Sequence, residues 1–337
     1  MQVLLTGAAG FIGFHVAQAL LARGDEVVGV DNLNAYYEVT LKDARLAKLT
    51  AQKGFSFEKL DISDREAMLG LAAKYPGITH VIHLAAQAGV RHSLTDPYTY
   101  VTSNVMGQVI LLELARKFSK LEHFVYASSS SVYGGNTKLP FSVDDETEQP
   151  NSLYAATKKA DELIGHTYAH LYGVPATGLR FFTVYGPWGR PDMAVFKFAR
   201  QILAGEEIHV FNGGAHARDL TYIDDIVEGI VRTLDRPAAA DPHWTGAAPE
   251  PATSSAPYRI YNIGNSSPVP LTELISELEG AFQRKARQKL LPMQPGDVLE
   301  TYADVQDLVR DTGFRPDTPL AAGIAKFAAW YQSFYGP

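Results

Sequence analysis

The 337-residue chain contains no cysteine, five methionines and three tryptophans. The missing thiols exclude disulfides, thiolate metal sites and cysteine nucleophiles at once. Its chemistry must come from oxygen and nitrogen groups. A basic excess is missing too: 30 Lys and Arg face 37 Asp and Glu, for a net charge of −7. That balance gives no electrostatic footprint for nucleic acid and no pull toward an anionic membrane, so an anionic ligand must be met by particular arginines. No uncharged apolar run approaches the roughly 18 to 20 residues that span a bilayer. A secretory leader would open on a basic stretch and an apolar run, whereas strand-like Gln2 to Thr6 begins at once. These features imply a cytoplasmic enzyme. With 46% apolar and 20% charged residues, the chain can bury a sizeable core as one large or two modest domains.

Short β-branched runs alternate with longer helical patterns. Val3 to Thr6, Glu26 to Val30, Thr79 to Leu84, Phe124 to Ser128 and Thr177 to Leu179 read as buried strands. Phe11 to Ala22 repeats apolar residues at helical spacing and stops at Gly24. Repeated strand, helix, strand units imply an α/β fold, a Rossmann-type doubly wound parallel sheet with right-handed crossovers. After about residue 180 the rhythm loosens, and a smaller C-terminal α/β domain is expected. The division is residues 1–180 and 181–337, with segments around 218–235 and 258–263 returning to the first domain. Helices are expected at Met193 to Leu203, Leu271 to Phe282 and Ala321 to Tyr331, and a strand at Arg259 to Ile263. Pro237 to Pro257, rich in Ala and Pro, lacks periodicity and is expected to be an exposed or disordered loop without chemistry.

The glycine turn Gly7-Ala-Ala-Gly10-Phe11-Ile12-Gly13 follows a strand and opens a helix. Glycines permit a tight turn and close backbone approach, and helix N-terminal amides hold a pyrophosphate. Asp31, beside Asn32, ends the second strand 18 residues past Gly13, where a carboxylate accepts bonds from adenosine ribose hydroxyls. No Lys or Arg follows it closely to meet a 2′-phosphate. NAD is therefore expected over NADP. Asp61-Ile62 after the third strand and Leu84-Ala85-Ala86-Gln87 after the fourth are candidate walls for the same cofactor, since ligands bind at strand C-termini. Asn104 reads either as a cofactor contact or as a polar packing residue.

Tyr154 and Lys158 stand four residues apart in a helical pattern and project from one face. A phenol is ordinarily a poor base, with a pKa near ~10, but a nearby ammonium favours the phenolate. With an oxidised nicotinamide alongside, the pair points to hydride chemistry. His166 and His170 share the same four-residue spacing, compatible with zinc, yet no third ligand or HExxH accompanies them, so no metal is expected.

Strand, glycine turn, Asp31, serine cluster and YxxxK in this order resemble the extended short-chain dehydrogenase/reductase superfamily, which acts largely on nucleotide sugars. Nearly the whole chain takes part. Within the superfamily the chain is similar to the UDP-glucuronate 4-epimerases, through LAAQAGVR (Leu84 to Arg91), SSSSVYG (Ser128 to Gly134), LYAATKKA (Leu153 to Ala160), LRFFTVYGPWGRPDMA (Leu179 to Ala194), TYIDDIVEG (Thr221 to Gly229) and LPMQPGDV (Leu291 to Val298). The resemblance implies Tyr154 as catalytic base and acid, Lys158 as the residue that favours its phenolate and holds the ribose, and Ser129 as the hydroxyl bridging to the sugar O4. Ser128 and Ser130 are neighbours in the same run of four, and the spacing to Val132-Tyr133-Gly134 selects Ser129. A hydroxyl at a strand end also caps backbone groups.

The resemblance further places Ser128 and Phe181 at the cofactor. It makes Arg218 a diphosphate ligand with Arg91 as helper, and Asp297 a uridine ribose ligand. Ser130, Ser131, Thr183 and Arg190 become donors to the uronate carboxylate. The implied reaction interconverts UDP-glucuronate and UDP-galacturonate through a transient 4-keto sugar in a homodimer, whose contact helices lie near Val101 to Lys117 and Ala155 to Tyr172. His92 and Ala217 depart from the pattern, which commonly has tyrosine and a second basic residue there. UDP-glucuronate decarboxylases and UDP-glucose/UDP-galactose epimerases are the rival enzymes, and a protein that senses NAD is the rival outside catalysis.

Overall fold

A computed structural model describes residues 1–293 and 298–336. Asp297 lies outside the described residues.

Strand β1 (Gln2–Thr6) runs into the glycine turn and α1 (Phe11–Arg23), which ends at Gly24. There φ is 94°, a left-handed conformation that glycine adopts without a Cβ clash, and the freed N–H closes on Leu20 and Leu21 carbonyls. The chain continues through β2 (Glu26–Asp31), α2 (Val39–Thr50), β3 (Phe55–Lys59) and α3 (Arg65–Lys74), whose N-cap Asp64 accepts the Ala67 N–H. It then crosses to the other side of β1 for β4 (His80–His83). Next come α4 (Pro97–Tyr100), a π-helical turn at Val101–Met106 and α5 (Gly107–Ala115). β5 (His123–Ser129), α6 (Leu153–Tyr172) and β6 (Ala176–Phe181) follow.

The later elements are β7 (Thr183–Tyr185), α7 (Ala194–Ala204), β8 (Glu207–Phe211), β9 (Ala217–Tyr222) and α8 (Ile223–Leu234). After them come β10 (Tyr258–Ile263), β11 (Pro268–Pro270), α9 (Leu271–Phe282) and β12 (Arg287–Leu291). Helices α10 (Gln306–Thr312) and α11 (Leu320–Tyr335) close the chain.

Seven strands form one parallel sheet in the order β3-β2-β1-β4-β5-β6-β10. The order reverses between β1 and β4, and that switch point opens a crevice beyond the strand C-termini. Both faces are covered. Met68, Leu71, Ile110, Leu111 and Ala169 of α3, α5 and α6 pack one side, and Phe14, Val16, Ile226 and Ile230 of α1 and α8 pack the other. Buried on two sides, β1 and β2 read as continuous apolar runs rather than alternating ones. A three-stranded sheet β11-β9-β7 and a pair β12-β8 are built from the later residues. Apolar side chains of α7, α9 and α11 continue the α1/α8 core into this part of the molecule.

Two expectations change. Residues 237–251 are mostly exposed, but Ala252, Thr253, Ser254 and Ala256 are buried. Ser254 Oγ lies 2.8 Å from His166 Nε2 on α6, because small side chains let this backbone lie flat against the helix. The expected continuous helix from Val101 is interrupted at its start by the π turn, whose wider winding carries Asn104 inward.

Candidate active site

A cavity of about 1000 Å³ lies over the C-terminal ends of β1, β2, β4, β5 and β6 and reaches the loop after β7. Gly7, Gly10, Phe11, Ile12 and Gly13 form its floor. The floor is tight: a Cβ on Gly13 would stand 2.0 Å from the Gly7 carbonyl oxygen, and one on Gly7, at φ +72°, 2.9 Å from the Ala85 nitrogen. Asp31 ties this turn to the β2 exit, accepting the Ala9 N–H at 3.1 Å and the Leu33 N–H at 2.8 Å. Asn32, Ile62, Leu84, Ala85 and Ala86 line the same end, with Gln87 beside them.

At the other end stand Tyr154, Lys158 and the serines. Ser152 caps α6 by accepting the Ala155 N–H at 3.1 Å, which sets Tyr154 in the first helical turn and Lys158 one turn on. The Tyr154 ring meets Tyr100 edge-on with centroids 6.1 Å apart. Lys158 is almost fully buried, and its Nζ donates to the Ala127 carbonyl at 2.9 Å and to Asp161 Oδ2 at 3.1 Å. Ser128 and Ser129 end β5, and their hydroxyls differ. Ser128 Oγ donates to Glu162 Oε1 at 2.6 Å, while Ser129 Oγ accepts the Ser131 N–H at 3.2 Å and keeps its own proton for another acceptor. Ser130, Ser131, Phe181 and Thr183 complete this wall.

Three arginines border the cavity: Arg91, Arg190 and Arg218. Arg218 Nη1 donates to the Ala217 and Leu299 carbonyls at 3.0 and 3.1 Å, and the adjoining Asp219 accepts backbone N–H groups of Asn265, Ser266 and Ala303. Arg190 forks onto Asp192, with Nε to Oδ1 at 3.1 Å and Nη2 to Oδ2 at 2.5 Å. Burial works against the Arg190 charge, but Asp192 more than offsets it and holds the guanidinium above its usual pKa. His83, below the floor, bonds Thr6 Oγ1 at 2.7 Å; burial, with Lys158 adding, lowers its pKa to about 3 and keeps it neutral.

The match to the family described as NAD dependent epimerase/dehydratase runs from residue 3 to residue 264. The chain belongs to that family. It is 50% identical to UDP-glucuronate 4-epimerase 3 of Arabidopsis thaliana over 338 residues, 99% of this chain and 77% of the relative. It is also 50% identical to Protein CapI of Staphylococcus aureus over 336 residues, 99% of both chains. Among solved structures, the UDP-glucuronic acid 4-epimerase of Bacillus cereus, in complex with UDP-glucuronic acid and NAD, superimposes with a TM-score of 0.87 at 34% identity. That match covers 99% of this chain and all of the other.

Two residues expected at the cofactor, Asp61 and, in one of its two readings, Asn104, stand back from the lining of this cavity. Asn104 does not line the cavity, because its amide is spent on Gln87 and Thr157. Asp61 does not line it either: its carboxylate accepts the Ser63 N–H and hydroxyl and the Asn32 amide, so Ile62 alone of that pair faces inward. His166 and His170 stack with centroids 6.2 Å apart, and the described residues hold no group of three metal-ligating side chains.

Sequence reasoning missed Lys42 and Tyr36, which enter the cavity near Asp31 and Arg190. It also missed Arg45, buried, whose guanidinium donates to the Ala9 carbonyl at 2.9 Å and the Trp188 carbonyl at 2.6 Å. Arg45 thereby ties the glycine turn to the loop that carries Arg190. Three basic or phenolic residues in an otherwise ordinary amphipathic stretch gave no signal of this.

Proposed function

We propose that the protein is an NAD-dependent isomerase that interconverts UDP-glucuronate and UDP-galacturonate at C4. The observation that carries this reading is the continuity of one cavity from the glycine turn to Tyr154, Ser129 and three arginines. Likeness to UDP-glucuronate 4-epimerases along 99% of the chain supports the substrate.

The residues present fit the cofactor. A turn with no room for a Cβ at Gly7, Gly10 or Gly13 brings backbone N–H groups against a pyrophosphate, and Asp31 takes the adenosine ribose. Ile62, Leu84 to Gln87 and Phe181 flank it, and Lys158 holds the second ribose. When bound, NAD supplies the acceptor and donor of hydride at the sugar C4.

Tyr154 takes the proton of the 4-hydroxyl as C4 gives up hydride, and returns a proton to O4 once the 4-keto sugar has turned over and hydride comes back to the opposite face of C4. Lys158 favours the phenolate, and Ser129 donates to O4. Arg218 and Arg91 hold the diphosphate while the sugar rotates, and forked guanidinium donors suit phosphate oxygens. Ser130, Ser131 and Thr183 offer the C5 carboxylate neutral donors, and Arg190, latched to Asp192, offers a charged one.

The same reading includes a homodimer in the cytoplasm. Leu94, Tyr98, Val101, Met106, Leu163 and Leu171 are large apolar side chains left exposed on the segment from residue 92 to α5 and on α6, a patch suited to a second copy. Light scattering should give twice the chain mass, and a monomer would contradict this part. No helix among the described residues is long and apolar enough to cross a membrane.

The function itself is tested by Tyr154→Phe, which keeps the ring but removes the proton-transfer group. It should bind NAD as the parent does and lose at least about 10²-fold in kcat. Retained turnover would remove Tyr154 from the chemistry.

A further inference from the structure

Lys158 is the ammonium that the proposed reaction depends on, and it does not face Tyr154 alone. Three residues further along α6, Asp161 reaches back so that its Oδ2 lies 3.1 Å from Lys158 Nζ, with both side chains almost fully buried. The Ala127 carbonyl takes a second hydrogen of the same ammonium at 2.9 Å. One hydrogen therefore remains for the cavity. Asp161 is otherwise poorly served: its Oδ1 is buried without a hydrogen-bond partner. On α5, Gln108 donates its amide to the Asp161 carbonyl at 3.4 Å and leaves its own Oε1 buried and unpaired.

Buried carboxylates are costly without good partners. The neighbours show what Asp161 has to work with. Glu162, next on α6, is satisfied by Arg180 of β6 at 2.8 Å and by Ser128 of β5, so Arg180 is not available to Asp161. Lys159 leans toward Glu162 at 3.7 Å. His83 on β4 is neutral. Tyr126 of β5 borders the group as a neutral phenol pushed up by burial first, and Tyr258 of β10, also pushed up by burial first, donates to the Glu162 carbonyl. Asn104 and Thr157 are engaged with each other and with Gln87. Lys158 is thus the cation that Asp161 pairs with.

We infer that Asp161 is a positioning residue for the proposed epimerase reaction: it holds the Lys158 ammonium against the Ala127 carbonyl and, when ionised, offsets the charge that Lys158 presents to Tyr154. Its burial pushes its own pKa up, against the pull of Lys158, to about 6. The offset therefore changes near pH 6. Below about pH 6 the carboxyl is neutral and the Lys158 ammonium faces the cavity at full charge. Above it the pair is formed and that charge is offset, so the acid limb of kcat/KM broadens.

This inference rests on the epimerase reading for its substrate, and the test separates the two. In the full-length enzyme, Asp161→Asn removes the charge and keeps the volume. The acid limb of kcat/KM for UDP-glucuronate should move to lower pH by about 0.5 to 1 unit, raising the ratio of rates at pH 6 and pH 8 by about three- to tenfold. Asp161→Glu, which restores a carboxylate, should keep the parent profile. A profile for Asp161→Asn that superimposes on the parent, or moves up, overturns the inference. Loss of packing alone lowers stability without moving the limb.

If the Asn variant does not fold, the parent enzyme decides. Its acid limb should have a slope below one across pH 5.5 to 7.5, and a slope of one overturns the inference. A substrate-free readout comes from the carboxyl resonance of Asp161 in the parent, assigned by its absence in Asp161→Asn or Asp161→Glu, which should titrate near pH 6 whether or not UDP-glucuronate is the substrate. An Asp161 carboxyl that titrates in the ordinary aspartate range overturns the inference. A parent without turnover but with that raised titration contradicts the epimerase reading and leaves the pairing standing.

Discussion

Asn104 grips Gln87 by both backbone groups: its Oδ1 accepts the Gln87 N–H at 2.8 Å, and its Nδ2 donates to the Gln87 carbonyl at 3.1 Å. The second amide hydrogen goes to Thr157 Oγ1 at 3.0 Å, between Tyr154 and Lys158 on α6. One buried amide thus joins the β4 exit, which lines the cavity beside the glycine turn, to α6.

Replacing Asn104 by Leu leaves the Gln87 N–H and carbonyl buried without partners. Stability should fall by about 2 to 3 kcal/mol, and NAD affinity should fall roughly tenfold because the loop after β4 loses its anchor. Thermal unfolding and a fluorescence titration with NAD measure the two. Lower stability with unchanged NAD affinity would restrict Asn104 to packing.

Ser128 and Ser129 are adjacent but should fail differently. Ser128→Ala removes a bond to a buried carboxylate, so it should cost about 1 to 2 kcal/mol of stability. Its kcat should stay within about twofold of the parent. Ser129→Ala should lower kcat by about 10²-fold, the scale seen when a donor to a developing charge is lost, with little change in unfolding. Steady-state rates and denaturant curves on the two variants separate these roles, and a reversed pattern would make Ser128 the bridge to O4.

Much of the sheet was legible because strands buried on both faces carry unbroken apolar runs, and because the glycine turn, Asp31 and Tyr154/Lys158 sit at fixed offsets from strand and helix ends. Asn104 could be read two ways because a π turn shifts its side chain without altering the local apolar pattern. Lys42, Arg45 and Asp161 were invisible for a different reason. Each acts by reaching a backbone carbonyl or a buried charge brought close by the fold, and a single charged letter in an amphipathic helix looks the same whether it is solvated or not. Ser254 was hidden in a stretch whose Ala and Pro content resembles disorder, although small residues also permit close backbone packing.

Acid stability follows from two buried histidines, His83 and His123, and a half-buried one, His15. Burial lowers His83 to about 3 and His15 and His123 to about 4, the last two despite backbone carbonyl bonds to Pro187 and Leu234. Their folded values lie below the unfolded value near ~6.5, so the unfolded chain binds more protons between the two. Stability is therefore full above about pH 6.5 and is lost as pH falls toward about 4. The melting temperature should drop by several degrees across that window. A melting temperature that stays flat from pH 7 to 4.5 would contradict the neutral state of these rings.

The central claim is that one base serves both directions of a C4 inversion with the hydride kept in the site. It is tested most directly by proton NMR of UDP-glucuronate incubated with the enzyme and NAD in deuterium oxide. The account predicts UDP-galacturonate as the product, with hydrogen retained at C4 and no deuterium gained there. A UDP-pentose as main product, or deuterium at C4, would contradict it.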